Sequence, residues 1–119
     1  MTVDSGGRIL RRERLNKADD IRSLRGRGQR SRGSFVTLYV EPADAYQFGV
    51  IANRRVGIAA RRNRARRVIR EALRSLRTRL RDDQPVRILL AAKASAAHAN
   101  THDVAKELAM LLDTHGLLA

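Results

Sequence analysis

Cysteine and tryptophan are absent from the 119 residues, and only four aromatic side chains occur, two tyrosines and two phenylalanines. Without thiols the chain can build neither a disulfide framework nor a thiolate zinc site. Apolar runs are short as well. None approaches the ~20 residues that span a bilayer, and the N-terminus lacks the hydrophobic centre of a signal peptide, which together point to a cytoplasmic location. Acid is scarce: 12 Asp and Glu face 25 Lys and Arg, a formal net charge of +13, with an isoelectric point near 11.7. A chain that basic repels itself and calls for a polyanion.

The motifs of several enzyme classes are missing too. There is no Walker loop, no G-x-S-x-G and no dinucleotide fingerprint. A protein nuclease would need clustered carboxylates or a histidine pair. Asp82 and Asp83 stand together just before Pro85, where helix termination accounts for them. His98, His102 and Asp103 include one i,i+4 pair but no third ligand, so no protein-borne metal site is expected.

Arginine is what the chain does have. It supplies 22 of the 25 cations, and Asn53–Arg70, NRRVGIAARRNRARRVIR, holds eight arginines and two asparagines. At ~100° per residue, a helix over about Ala60–Arg81 gathers Ala65, Ile69, Ala72, Leu73, Leu76 and Leu80 on one side, with Val68 at the edge. On roughly the opposite side lie Asn63, Arg66, Arg67, Arg70, Arg74, Arg77 and Arg81. A solvated helix face would interleave acids at i,i+4, gaining ~0.2–0.5 kcal/mol per pair, yet 66/70 and 70/74 are like-charged. Arg61, Arg62 and Arg64 fall in the first turn, where the helix dipole makes a cation cost ~0.3–1 kcal/mol. Helix stability alone would not place them there; a phosphate-binding helix N-terminus would. Arg64 and Arg67 both lie off the apolar side, so the pattern predicts that losing them leaves folding nearly intact.

The flanking sequence predicts a mixed α+β chain. Met1–Gly7 is polar and expected to be loose, and residues 8–15 extended or irregular. A short helix over Lys17–Arg25 has Asn16 as its cap and Asp19 and Asp20 in its first turn. Residues 25–34, glycine-rich and basic, read as a flexible connector or a loop ordered only by RNA. Strands follow at Phe35–Val40 and Tyr46–Asn53, and their short link implies an antiparallel hairpin. Val86–Ala92, nearly all apolar, reads as a strand buried on both faces. Asn100 or Thr101 caps a final helix reaching His115, with Val104, Leu108, Leu111 and Leu112 inward. The order is αββαβα, a single-domain sandwich over residues 1–119 with a central, mostly antiparallel sheet.

Residues 48–73, FGVIANRRVGIAARRNRARRVIREAL, closely resemble the signature of the bacterial ribonuclease P protein component. Gly49, Asn53, Arg54, Arg55, Gly57, Ala59, Arg62, Asn63, Arg64, Arg66, Arg67, Ile69 and Arg70 match it in register. RRERLNKADDIRSLRGRG (11–28), FVTLYV and RILLAAKASAA (87–97) resemble the family's first helix, first long strand and last strand. The resemblance implies a βαβ crossover, left-handed in the family, that carries the Arg-Asn-Arg helix. It also implies a protein that breaks no bond itself: a catalytic RNA removes the 5′ leader of precursor tRNA with Mg²⁺ held mainly by RNA phosphates. The implied RNA-binding set is Arg54, Arg55, Arg61, Arg62, Asn63, Arg64, Arg66, Arg67, Arg70 and Arg74. A leader-binding cleft would draw on Ile21, Arg25, Phe35, Val36, Leu38 and Asn53. The implied partners are the catalytic RNA and precursor tRNA, with the protein itself monomeric.

Three departures stand out. Ile21 and Arg25 occupy first-helix positions where the family usually carries aromatics, so base stacking, worth ~1–3 kcal/mol per base, is weaker or passes to guanidinium groups. Leu38 stands where a tyrosine is common, unless Tyr39 moves into register, and Ile58 follows Gly57 where a polar residue is usual. A ribosomal or other structural RNA-binding protein would share the charge and the α+β order, but it needs no such register of Gly49, Gly57 and Asn63. A sequence-specific DNA regulator is disfavoured because no helix-turn-helix pair is visible.

Overall fold

A computed structural model describes residues 9–119; the expectation for Met1–Gly7 lies outside them. In chain order the elements are α1 (Ala18–Arg27), β1 (Gln29–Arg32), β2 (Val36–Pro42), β3 (Gln47–Ile51), α2 (Ala59–Leu76), β4 (Val86–Ala92) and α3 (Thr101–Thr114). Short 3-10 turns occupy Arg11–Glu13, Arg54–Val56, Arg77–Arg79 and Ala94–His98.

The four strands form one sheet in the order β1-β2-β4-β3. β2 runs antiparallel to both β1 and β4, whereas β3 runs parallel to β4. The sheet is thus mostly antiparallel, as the sequence predicts, but the β2–β3 hairpin is not formed. β4 inserts between them, pairing Leu38 with Leu90 on one side and Phe48 with Ile88 on the other. The cause is β4's own composition. Ile88, Leu89 and Leu90 are each completely buried, and a strand apolar on both faces is stable only where neighbours and layers cover it from every side.

Residues 25–34 are ordered within the fold. Instead of a flexible connector, α1 continues to Arg27 and Gln29–Arg32 pair with Val40–Thr37 as an edge strand. Glu107 on α3 fixes the turn that follows, its carboxylate accepting the backbone N–H groups of Ser34, Phe35 (2.8 Å) and Val36 (3.1 Å). Three N–H groups converging on one carboxylate order this stretch within the protein itself.

The sheet carries a layer on each face. On one, Val36, Leu38, Val40, Phe48, Ile88 and Leu90 meet the apolar sides of α2 and α3; on the other, Tyr39 and Leu89 meet Leu15 and Leu24 beneath α1. Every α2 residue expected inward, Ala65, Val68, Ile69, Ala72, Leu73 and Leu76, is buried, as is Leu80 just beyond it. The helix stops five residues short of Arg81, narrowing to a 3-10 turn at Arg77–Arg79. α3 is capped by Asn100, whose Oδ1 accepts the Asp103 N–H at 2.8 Å. α1 differs: its cap is Lys17, and no side chain, Asn16 included, closes its first turn.

The N-terminal segment is stitched to the outer edge of β3. The Leu15 N–H donates to the Phe48 carbonyl at 2.7 Å, and a Cβ added at Gly49 would lie 2.9 Å from the Leu15 carbonyl oxygen. Glycine is required at residue 49 for that approach. One turn earlier, Glu13 is only 9% exposed. Its carboxylate accepts the Leu10 N–H at 3.0 Å and pairs with Arg77 at 2.5 Å. The Arg77 guanidinium lies 5.1 Å and 5.2 Å from the ring centres of Tyr46 and Phe48, which stack on each other.

Candidate nucleic-acid interface

The site begins where β3 ends. Asn53 accepts the Arg55 N–H on its Oδ1 at 2.9 Å and so closes the Arg54–Val56 turn. Gly57 then takes φ 127 and ψ −155, a region open essentially to glycine alone and costing other residues ~1–3 kcal/mol. That backbone turns the chain into α2 with its first N–H groups exposed beside Arg61 and Arg62. Arg62 Nη1 donates back to the Gly57 carbonyl at 2.9 Å, holding the guanidinium against the turn.

Along α2 the arginines divide by what they touch. Arg54, Arg55, Arg61, Arg67, Arg70 and Arg74 are exposed. Among the described residues none of them, nor Arg62, Arg64 or Arg66, pairs with a carboxylate; the ion pairs present use Arg22, Arg77, Arg81 and Arg87. Arg66 donates to Asn63 Oδ1, so Asn63, in the second turn of α2, orients a neighbouring guanidinium and does not cap the helix. Glu71, the acid within the stripe, accepts the Thr101 hydroxyl at 3.1 Å.

Two members expected on the stripe leave it. Arg77 is half-buried against Glu13, and Arg81 chelates Asp83 through Nε at 3.0 Å and Nη2 at 2.7 Å, holding that carboxyl below the usual carboxylate range. Arg64 is tied down as well. Its Nε donates to the Ala97 carbonyl at 2.7 Å and its Nη2 to that of Ala99 at 3.3 Å, tying α2 to the turn before α3. Arg64→Ala is therefore expected to lower unfolding free energy by about 1 kcal/mol, whereas Arg67→Ala leaves it unchanged. Urea titration of both variants checks the difference.

The residues expected to line a leader cleft do not form one surface. Ile21 and Arg25 lie on α1 beside a groove of about 640 Å³, together with Arg22, Arg30 and Tyr39. Val36 and Leu38 are completely buried on the opposite side of the sheet, in the α2 and α3 layer, and Phe35 packs against that same layer. The error is one of parity. Alternate strand residues face opposite ways, so Thr37 and Tyr39 take the α1 side and Tyr39 fills the place assigned to Leu38. Asn53 is exposed and engaged in its turn. The α1 groove thus adds Arg22, Arg30 and Tyr39; strand alternation sets Tyr39 opposite Leu38, and no sequence pattern marks Arg22 or Arg30.

Among the described residues no three His, Cys, Asp or Glu side chains come together, and His98 and His102 are exposed on separate elements. No helix among them is long and apolar enough to cross a membrane. What the surface offers is a run of guanidinium groups around an open helix N-terminus, free to meet phosphate.

Comparison with known families decides what that surface belongs to. The family model described as Ribonuclease P matches residues 9–116. The chain belongs to the Ribonuclease P protein family. The Ribonuclease P protein component of Syntrophomonas wolfei is 28% identical over 111 residues, which cover 92% of each chain. That of Dictyoglomus thermophilum is 32% identical over 108 residues, 89% of this chain and 90% of the relative. The fold is similar to the RNase P protein of Staphylococcus aureus, with TM-score 0.75 and 19% identity over 90% of this chain and 98% of that one. It is also similar to that of Thermotoga maritima, with TM-score 0.71 and 21% identity over 84% and 94%. Membership in the Ribonuclease P family gives the chain a role in a tRNA-processing endoribonuclease complex, with that complex's RNA subunit as its partner.

Proposed function

We propose that this protein acts as a single copy that docks on the catalytic RNA through the N-terminal half of α2. It guides the 5′ leader of precursor tRNA along the groove beneath α1, and it leaves bond cleavage to the RNA. The observation that carries this reading is the arginine run from Arg54 to Arg74, which stands at a helix N-terminus without partner carboxylates among the described residues. Guanidinium groups crowded along α2, six of them besides the tethered Arg64, strain an isolated helix and become favourable once RNA phosphates neutralise them. The groove beneath α1 suits an extended single strand: Tyr39 offers a ring edge, Ile21 an apolar wall, and Arg22, Arg25 and Arg30 cover phosphates or stack on bases.

Among the described residues no cluster of carboxylates and histidines suits a hydrolytic ion. Mg²⁺ held by the RNA subunit's phosphates supplies the hydrolytic chemistry, and the protein's cations lower the free Mg²⁺ needed by offsetting charge between RNA and substrate. The test is reconstitution at low Mg²⁺ with catalytic RNA and precursor tRNA. Mature 5′ ends are expected only with RNA and protein together, and none with protein alone. Cleavage by the protein alone, or no activation of the RNA, overturns the reading.

A further inference from the structure

A second groove, of about 680 Å³, opens on the far side of Ile21, between the N-terminal segment and α2. Its size is within the ~300–1,000 Å³ of small-molecule sites. One wall is α2, presenting Arg67, Arg70 and Arg74; the other is Arg14, Leu15 and Asn16, with Ile21 and Ile51 between them. The charge is lopsided, four arginines against Glu71, whose carboxylate is already engaged by Thr101.

The floor of this groove is a sheet edge left open. Phe48 uses its outward carbonyl to accept the Leu15 N–H, and residues two apart in a strand direct their peptide groups to the same edge. Val50 therefore also points its N–H and C=O outward, away from β4. The N-terminal segment has by then departed toward α1, and no backbone group among the described residues meets them. Asn16 lies alongside, exposed, and its amide makes no hydrogen bond among the described residues. Two amide groups, the Val50 backbone with one N–H and one C=O and the Asn16 side chain with two N–H and one C=O, thus stand beside an apolar wall and beneath three guanidinium groups. An apolar wall, a hydrogen-bonding edge and a cluster of guanidinium groups match the chemistry of a nucleotide's base and phosphate.

We propose that this groove receives one unpaired nucleotide of the RNA subunit, its base against Ile21 and Ile51 with its edge toward Asn16 and Val50, its phosphates on Arg67, Arg70 and Arg74. The RNA subunit is the occupant because the arginine wall is the docking face of α2 itself, so the inference rests on the reading above. It goes further in assigning base contact to the open edge of β3.

Two variants test it in the full-length protein. Asn16→Ala removes an exposed amide without touching the core, and Val50→Trp fills the groove from its floor. Each is expected to weaken binding to the RNA subunit alone by about three- to tenfold, the worth of one hydrogen-bonded base contact. The salt slope should stay unchanged, since no phosphate contact is lost. One RNA base protected from dimethyl sulfate or carbodiimide by the wild-type protein should become reactive with either variant. Arg62→Ala serves as the control for docking itself and should weaken binding and lower the salt slope. If Arg62→Ala does so while Asn16→Ala and Val50→Trp bind like wild type and alter no base, the groove proposal fails and the docking reading stands. Loss confined to leader-bearing precursor tRNA would also overturn it, by assigning the groove to the substrate.

Discussion

Replacing Arg66, Arg67 and Arg70 together by alanine is expected to weaken binding to the RNA subunit roughly a hundredfold, at about 1 kcal/mol per lost contact. The slope of log affinity against log salt should fall by about 2 to 3, close to one unit per phosphate released. Folding should be unaffected or slightly improved. Arg67 and Arg70 are exposed, and Arg66 reaches only Asn63, so the change deletes like-charge repulsion at i,i+4 and no tertiary contact. Filter binding across a salt series, with thermal melts of the free protein, separates the two effects. Unchanged affinity and slope would assign the stripe to solvent.

The largest loss of stability is expected from Arg77→Ala. The guanidinium covers two stacked rings and neutralises a carboxylate that is nearly out of solvent. Truncation leaves Glu13 buried and unpaired, which costs about 3 kcal/mol or more and lowers the melting temperature by roughly 10 °C. The double variant Glu13→Gln, Arg77→Met removes both charges and should recover much of that loss. Calorimetry of the wild type and both variants decides the matter; an Arg77→Ala melt within a degree of wild type would show that the pair contributes nothing.

Arg77 also shows where sequence reading stops. Its i,i+3 spacing from Arg74, itself i,i+4 from Arg70, puts it on the same stripe as the RNA-facing arginines, yet Glu13, 64 residues away, claims it. Arg64 is similar, drawn to carbonyls 33 and 35 residues on. Residue type and periodicity determine which side of a helix a cation occupies; they carry no information about which distant oxygen arrives there. Where burial alone sets the pattern, as along Ala65–Leu80, every apolar position was legible. Alternation along β2 was legible, but not which of its two faces meets α1: Tyr39 takes that side, and Val36 and Leu38 the other.

Two features of the sheet left weaker traces. Gln29–Arg32 has no apolar residue to alternate and lies at an edge, where polar side chains are the rule, so it reads as linker. The β2–β3 link is short enough for a hairpin, and loop length cannot reveal that a third strand will slip between. The continuous apolar run of Val86–Ala92 was the available clue, because a strand greasy on both faces belongs at the centre.

That late central strand governs the order in which the protein can be made. During synthesis β2 and β3 emerge with no partner for each other, and only the β1–β2 ribbon can close before residue 86 leaves the ribosome. Until then the nascent chain carries its arginines on an unfinished scaffold, and ordering waits on contacts of high sequence separation, which form slowly. Polyanions near the exit tunnel therefore meet a chain that is already cationic before it is folded.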